Sequence, residues 1–375
     1  MEIVKAFDQL MLKLENAFSL AAKERLVRRF AGQHASPIVE SSRVVFFYLS
    51  KEALTVALEG DWTGWKPTAL MNYLPDTPLW YRVEYFPDNA RLEYRVVVNG
   101  HPRLDPRNPR ISLSGFGSHS EFFMSKHQSP QELTDTSPFA RGTVEQHWMK
   151  SQVLGDRRMF WVSFPPGYDV KKQYPVAYFT DGDDYLNYGD LPRIMDYLIA
   201  HRQVKPFIAV LVRPNNRAKE YGLNDQYVQH VAEELVPWID SCYPTIDKRS
   251  ARAVFGVGLG ALCAAYIARR CPQMFGLVAG QSGNFGFHND ALLQDYATLK
   301  NFSIRFHFTV GEFEGNGDDH GQTNKAHLLV HQRFVDLLRQ IGCTVSYSEY
   351  PEGHQWGFWR AHIGDALRYF WGRQS

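Results

Sequence analysis

Apolar positions change their period along this 375-residue chain. Over residues 1–35, Ile3, Val4, Phe7, Leu10, Met11, Leu14, Phe18, Leu26, Val27 and Phe30 recur at threes and fours among charged residues, the spacing of an amphipathic helix. That apolar face needs a cover, either the rest of the chain or a second copy, so the N-terminal helix offers a route to a homo-oligomer. From 36 to 125 the period falls to two. Val44–Leu49, Leu54–Glu59 and Leu92–Val98 read as strands, parted by turn residues at Gly60-Asp61, Thr63-Gly64, Pro75-Asp76 and Asn99-Gly100, a pattern that predicts a small all-β sandwich. Asn99-Gly100 suits a tight hairpin because both positions tolerate positive φ. Residues 126–150 are rich in Ser, Thr, Gln and Pro and read as a linker.

From 151 to 375 strands and helices alternate. Strands are predicted at 158–164, 174–179, 207–212, 251–256, 277–280, 304–310 and 343–350. Helices are predicted near 189–201, 226–242, 260–270, 323–341 and 358–371. Phe207–Val212 is an uninterrupted apolar run, as for a strand covered on both faces of a parallel sheet. The expected fold class is α/β, a parallel sheet with helices on both faces preceded by the sandwich.

Composition narrows the function classes. Lys and Arg total 41 against 40 for Asp and Glu, so no strong basic field exists to recruit nucleic acid. No apolar run reaches the roughly 18 residues a membrane span needs, and the N-terminus lacks a secretory pattern. The expectation is a cytoplasmic protein without a membrane partner. Cys242, Cys263, Cys271 and Cys343 form no CxxC pair, so neither zinc nor thioredoxin-like chemistry is indicated. No cofactor is expected.

The chemistry-bearing pattern lies in the second half. The strand Ala253-Val254-Phe255 runs into Gly256-Val257-Gly258-Leu259-Gly260 and then the helical Ala261–Tyr266. Strand, tight glycine turn and helix are the setting of the nucleophile elbow G-x-S-x-G. Both flanking glycines are present, and the central residue is Gly258 where serine belongs. An acid and then a histidine should follow along the chain. The strand 304–310 ends in Gly311-Glu312-Phe313-Glu314, and the last strand in Pro351-Glu352-Gly353-His354-Gln355-Trp356.

Two resemblances follow from these residues. Leu58–Trp65 (LEGDWTGW), Met71, Trp80-Tyr81, Tyr94-Arg95 and Asp105–Pro109 resemble the immunoglobulin-like early-set domain that precedes enterochelin esterases and glycogen-branching enzymes. In that domain exposed tryptophans either bind glucan or only pack. Residues from Arg157 to about Phe370 resemble the enterochelin-esterase and esterase-D-like α/β-hydrolases, through Pro165–Tyr168, Tyr174–Val176, Asp181-Gly182, Asn216-Arg217, Glu220-Tyr221, Phe275-Gly276, Gln281–Gly283 and Gly353–Trp356.

The second resemblance implies a base slot at His354 and an acid slot at Glu314, with Glu312 as the alternative. It implies oxyanion amides at Leu259 and Gly182, and ligand contacts at Asp181, Arg217, Glu220 and Trp356, with Arg217 and Glu220 either lining the pocket or only pairing with each other. Its members cleave catecholate siderophores, feruloyl sugars and other acyl esters through an acyl-serine. Gly258 cannot be acylated. Ser282 follows the next strand and is not the nucleophile by this resemblance, and Cys263 falls on a core-facing helix position. His320, His327 and His331 with Asp318 and Asp319 read as a solvated polar face or, alternatively, a metal site, and no metal is expected.

Four readings stay open. The chain is a non-catalytic relative that binds an acyl-ester, siderophore or sugar-type small molecule or a protein partner. It is an active carboxylic-ester hydrolase carrying an inactivating change at 258. It is an enzyme of changed chemistry, in which His354 and Glu314 act on water or a substrate proton. Or it is a glucan-binding module on an idle scaffold.

Overall fold

The computed structural model describes residues 6–115, 117–300, 302–315 and 326–373. They divide by contact into two units, one of 6–128 with 312–315 and 350–355, the other of the remaining described residues. The loops around Glu314 and His354 thus group with the N-terminal unit, although the sequence pattern assigned all of 151–375 to one body.

In the N-terminal unit the expected single helix is two, Ala6–Glu15 and Leu20–Gln33. Ser19 breaks the run because its hydroxyl accepts the Ala22 N–H and caps the second helix. Ile3 and Val4 lie outside the described residues. One four-stranded sheet contains Ile38–Glu40, Arg43–Leu49, Leu79–Tyr85 and Asn72–Tyr73. Another contains Ala69–Leu70, Val56–Gly60, Arg91–Val98, Gly117–Phe123 and Ile111–Ser114, with His101–Arg103 paired to Arg91–Val98. Successive side chains of Arg43–Leu49 enter two different cores. Val44 and Phe46 join Leu58, Leu92, Tyr94 and Phe122 between the sheets. Val45 and Phe47 meet Phe7, Leu10, Leu14, Val27 and Phe30 of the helices. Period two therefore distributes one strand between two apolar layers, and most of the helices' apolar face is covered by their own chain, while Phe18 stays exposed. Asn99 and Gly100, at φ 50° and 81°, make the expected hairpin turn.

The other unit carries an eight-stranded sheet. Its order is Thr143–Lys150, Arg157–Phe164, Ile208–Val212, Val176–Phe179, Arg252–Val257, Leu277–Gln281, Arg305–Gly311 and Thr344–Tyr350. Pairing is antiparallel among the first three and parallel from Ile208–Val212 to Arg305–Gly311. The 126–150 stretch is not all linker. Gln131–Thr134 forms a helical turn and Thr143–Lys150 an edge strand. Its polar residues misled because an edge strand with one solvated side carries few apolar positions. The predicted helix 226–242 is interrupted by a π-helical stretch, His230–Leu235. Gly182–Asn187, Arg217–Tyr221 and Phe287–Ala297 are helices the sequence pattern did not reveal. The last starts with His288, Asn289 and Asp290 all in left-handed conformation, which erases its helical period. No helix among the described residues is long and apolar enough to cross a membrane.

Candidate functional site

Strand Arg252–Val257 passes into helix Leu259–Arg270 through Gly258 alone, at φ 53° and ψ −119°. Side chains rarely adopt that conformation, and glycine does so freely. Its N–H donates to the Gln281 carbonyl at 2.9 Å, and its carbonyl accepts the N–H groups of Asn284 at 3.0 Å and Ala261 at 3.1 Å. The flanking glycines answer to space. A Cβ on Gly256 would lie 2.2 Å from the Gly260 backbone, and one on Gly260 would lie 2.4 Å from Thr180 Oγ1 and 2.9 Å from Asp181 Oδ2. The G-x-G-x-G pattern thus records one sharp turn, and Leu259 begins the helix it feeds.

The neighbouring parallel strand Val176–Phe179 also turns into a helix through a positive-φ residue. Asp181 turns at φ 53° into helix Gly182–Asn187. Gly182 is fixed by a backbone approach, because a Cβ there would meet the Leu211 carbonyl carbon at 2.2 Å. The Asp181 carboxylate is buried and takes two bonds from Arg217, at 2.8 and 2.9 Å. Arg217 Nη2 also donates to the Val257 carbonyl at 3.1 Å. One guanidinium therefore ties the Asp181 turn to the residue before Gly258. Burial raises the Asp181 carboxyl against the pull of Arg217. Burial, followed by the charges of Asp181 and Asp183, brings Asp184 to about 6. Asp181, Gly182 and Arg217 do gather at the elbow.

Two expected ligand contacts do not. Glu220 is buried, and its oxygens accept from Arg158 at 2.9 and 2.6 Å and from the N–H groups of Asn215 and Asn216. Glu220 and Arg217 were read as lining the pocket or pairing with each other. Instead each has its own partner, and Glu220 anchors the loop that presents Arg217. Trp356 is 1% exposed and packs on Tyr185, Tyr188 and Trp359. Its place beside the histidine motif suggested a ligand, but it opens helix Trp356–Trp371 facing the core.

In the N-terminal unit, His354 Nδ1 lies 2.8 Å from Glu314 Oε2. Glu314 is buried, whereas the alternative acid, Glu312, is exposed. The two loops are stitched together by Glu312 N–H to Tyr350 O at 2.7 Å and Phe313 N–H to Glu352 O at 3.1 Å. The residue before His354, Gly353, rests against Asp61, which no local pattern in the sequence announced.

Among the other candidates, Ser282, Cys263 and His331 are all buried. Ser282 is buried at φ 51° and accepts the Trp359 indole N–H at 2.7 Å. Cys263 is buried, and burial pushes its thiol well up, away from the reactive thiolate. His331 is buried and its Nδ1 contacts the His327 carbonyl at 2.9 Å. Asp318, Asp319 and His320 lie outside the described residues. Trp62 stacks on Phe46 and meets Phe86 edge-on in the core shared by the two sheets, while Trp65 is half-buried between His119 and Arg95.

The family described as putative esterase matches residues 151–370. YjcH of Bacillus subtilis, an uncharacterised protein, is 26% identical over 239 residues, covering 60% of this chain and 97% of its own. An iron(III) enterobactin esterase of Escherichia coli is 28% identical over 276 residues, covering 71% of this chain and 67% of its own. In fold, the enterobactin esterase from Shigella flexneri, solved in the presence of enterobactin, matches with a TM-score of 0.76 at 19% identity, over 92% of this chain and 97% of that one. With more than half of its length inside the family match, the chain belongs to the putative esterase family.

Proposed function

We propose that this chain is an esterase-family protein whose nucleophile position is held by Gly258, and that it binds rather than cleaves a small acyl ester of the siderophore or sugar-ester kind. Gly258 carries the reading. The turn holds a backbone conformation that side chains rarely adopt, with hydrogen bonds to Gln281 and Asn284, yet offers no side-chain oxygen to acylate. Loss of a triad nucleophile costs about a million-fold in rate. His354 and Glu314 fill the base and acid positions, and the amides of Leu259 and Gly182, each opening a helix, fill the oxyanion positions. Asp181 and Arg217 supply ligand contacts at the elbow. The ligand class rests on relatives named iron(III) enterobactin esterase and, in Xylanibacter ruminicola, endo-1,4-beta-xylanase/feruloyl esterase.

The test is hydrolysis of p-nitrophenyl acetate and butyrate by the chain as it stands, by Gly258→Ser, and by Gly258→Ser with His354→Ala. The expected result is turnover in Gly258→Ser alone, with no acylation burst in the unaltered chain. Steady turnover by the unaltered chain that disappears in His354→Ala would sink this reading in favour of water activated by the histidine.

The N-terminal β unit is read here as the immunoglobulin-like early-set domain, supported by its two sheets around one shared core. The packed environment of Trp62 favours a structural role over a glucan platform. A cytoplasmic location is in keeping with four free thiols and no disulfide among the described residues.

A further inference from the structure

The motif Gly60-Asp61-Trp62-Thr63-Gly64-Trp65 has a use that neither glucan binding nor core packing describes. Asp61 is 2% exposed. Its Oδ2 accepts the Glu93 N–H at 2.7 Å, and its Oδ1 accepts the Trp65 indole N–H at 3.2 Å. The turn around it is closed by Thr63, whose Oγ1 accepts the Gly60 N–H at 2.9 Å, and ended by Gly64 at φ 60°. These bonds fix the carboxyl group from below.

Above it lies the histidine loop. A Cβ on Gly353 would sit 2.0 Å from Asp61 Cγ and 2.1 Å from Oδ1, so the Gly353 backbone rests directly on this carboxyl group. Burial, then the charge of Glu93, pushes Asp61 well above the usual carboxylate range. A neutral acid can sit there without a counter-charge. On the other side of Gly353, the buried Glu352 has an oxygen 3.8 Å from Arg91, which also bonds Glu93 at 2.7 Å. The residue before Glu314, Phe313, donates to the Glu352 carbonyl and packs edge-on to Phe86.

We propose that Asp61 is a positioning residue for the His354–Glu314 pair: pinned by Trp65 and Glu93, it sets the height and direction of the Gly353–His354 backbone so that the imidazole meets Glu314. The inference deepens the base-and-acid reading of that pair and rests on it for its significance. The contact itself needs no turnover. It gives the tryptophan motif a steric purpose: Trp65 orients Asp61, and Asp61 supports the one residue, Gly353, that has no side chain to resist it.

The test is NMR of the full chain labelled with ¹⁵N-histidine. A downfield Nδ1–H proton, hydrogen-bonded to Glu314, is assigned by its loss in Glu314→Gln. Asp61→Leu is expected to abolish that resonance while circular dichroism and the melting curve report a folded chain. Gly353→Ala is expected to abolish it too, because its Cβ would press on the Asp61 carboxyl group, and the isosteric Asp61→Asn is expected to retain it. A merely structural role of Asp61 would leave the resonance in place in every variant that folds. Retention of the resonance in folded Asp61→Leu overturns the proposal. Where Asp61→Leu does not fold, its retention in Gly353→Ala does so. In a Gly258→Ser background, Asp61→Leu should lower kcat by roughly 100-fold, the cost of misplacing a catalytic group by about 1 Å, with little change in KM. The resonance is read in the chain as it stands, so it decides on Asp61 even where Gly258→Ser shows no turnover.

Discussion

The inner nitrogen of His354, Nδ1, stands 2.8 Å from Oε2 of Glu314, and Glu314 is only 1% exposed while His354 is 40% exposed. A buried acceptor on one ring nitrogen fixes the tautomer and the orientation of an otherwise accessible imidazole. In a Gly258→Ser chain, Glu314→Gln should therefore lower kcat by roughly 10²–10⁴. The exposed Glu312, replaced by Gln, should leave the rate unchanged. Equal losses from both would mean that the pairing does not orient the base.

Gly258 at φ 53° predicts a stability cost for any side chain there. Gly258→Ser and Gly258→Ala should each lose about 1–3 kcal/mol, the range for a residue forced into a sparsely populated backbone region. Urea unfolding measures it. Similar losses in both variants assign the cost to the backbone, and an unchanged midpoint would refute the strain.

The elbow was legible because its requirements are local: three alternate glycines between a strand and a helix describe one turn, and the structure gives steric reasons for Gly256 and Gly260. His354 was legible by chain order. What the sequence hid was long-range. The roles of Glu220 and Arg158 lie 62 residues apart, and Asp61 is distant from Gly353 along the chain. Nothing in either neighbourhood advertises the other. Trp356 was misread because the motif before it lies in a loop, while helix packing turns its ring inward. The helix Phe287–Ala297 escaped notice because its left-handed first turn breaks the period.

Glu220 and Arg158 form a buried pair, Arg158 being 1% exposed. Glu220→Ala would leave the buried guanidinium with the more distant Asp156, at 3.3 Å, as its counter-charge, at a cost of up to about 3–5 kcal/mol. It would also release the N–H groups of Asn215 and Asn216. Thermal unfolding of this variant, beside Glu220→Ala with Arg158→Met, should show a smaller loss in the double variant. A single variant as stable as the parent would show that the Glu220–Arg158 pair does not hold this loop.

His307 is 5% exposed, and burial lowers it to about 4. Its Nδ1 lies 3.1 Å from Ser346 Oγ. The unfolded imidazole titrates near 6.5, so the unfolded chain binds the proton first as pH falls. The stability from a neutral His307 is fully present above about 6.5 and is lost as pH drops toward the folded value, by about 3 kcal/mol in all. Denaturation midpoints between pH 7 and 4 should fall less steeply in His307→Gln than in the parent. Parallel curves would exclude this histidine as a source of acid sensitivity.

The left-handed turn at 258 also governs the order in which the chain tolerates change. Glycine occupies it at ease, so the elbow can lose one support, a bond to Gln281 or Asn284, and still close. A side chain there would spend that margin in advance. Substitutions around the elbow should thus be contingent on one another: a change harmless beside Gly258 should become damaging once a side chain is introduced at 258. Any history or redesign that moves between the two residues is directional, and serine is best introduced last, into a chain already stabilised elsewhere.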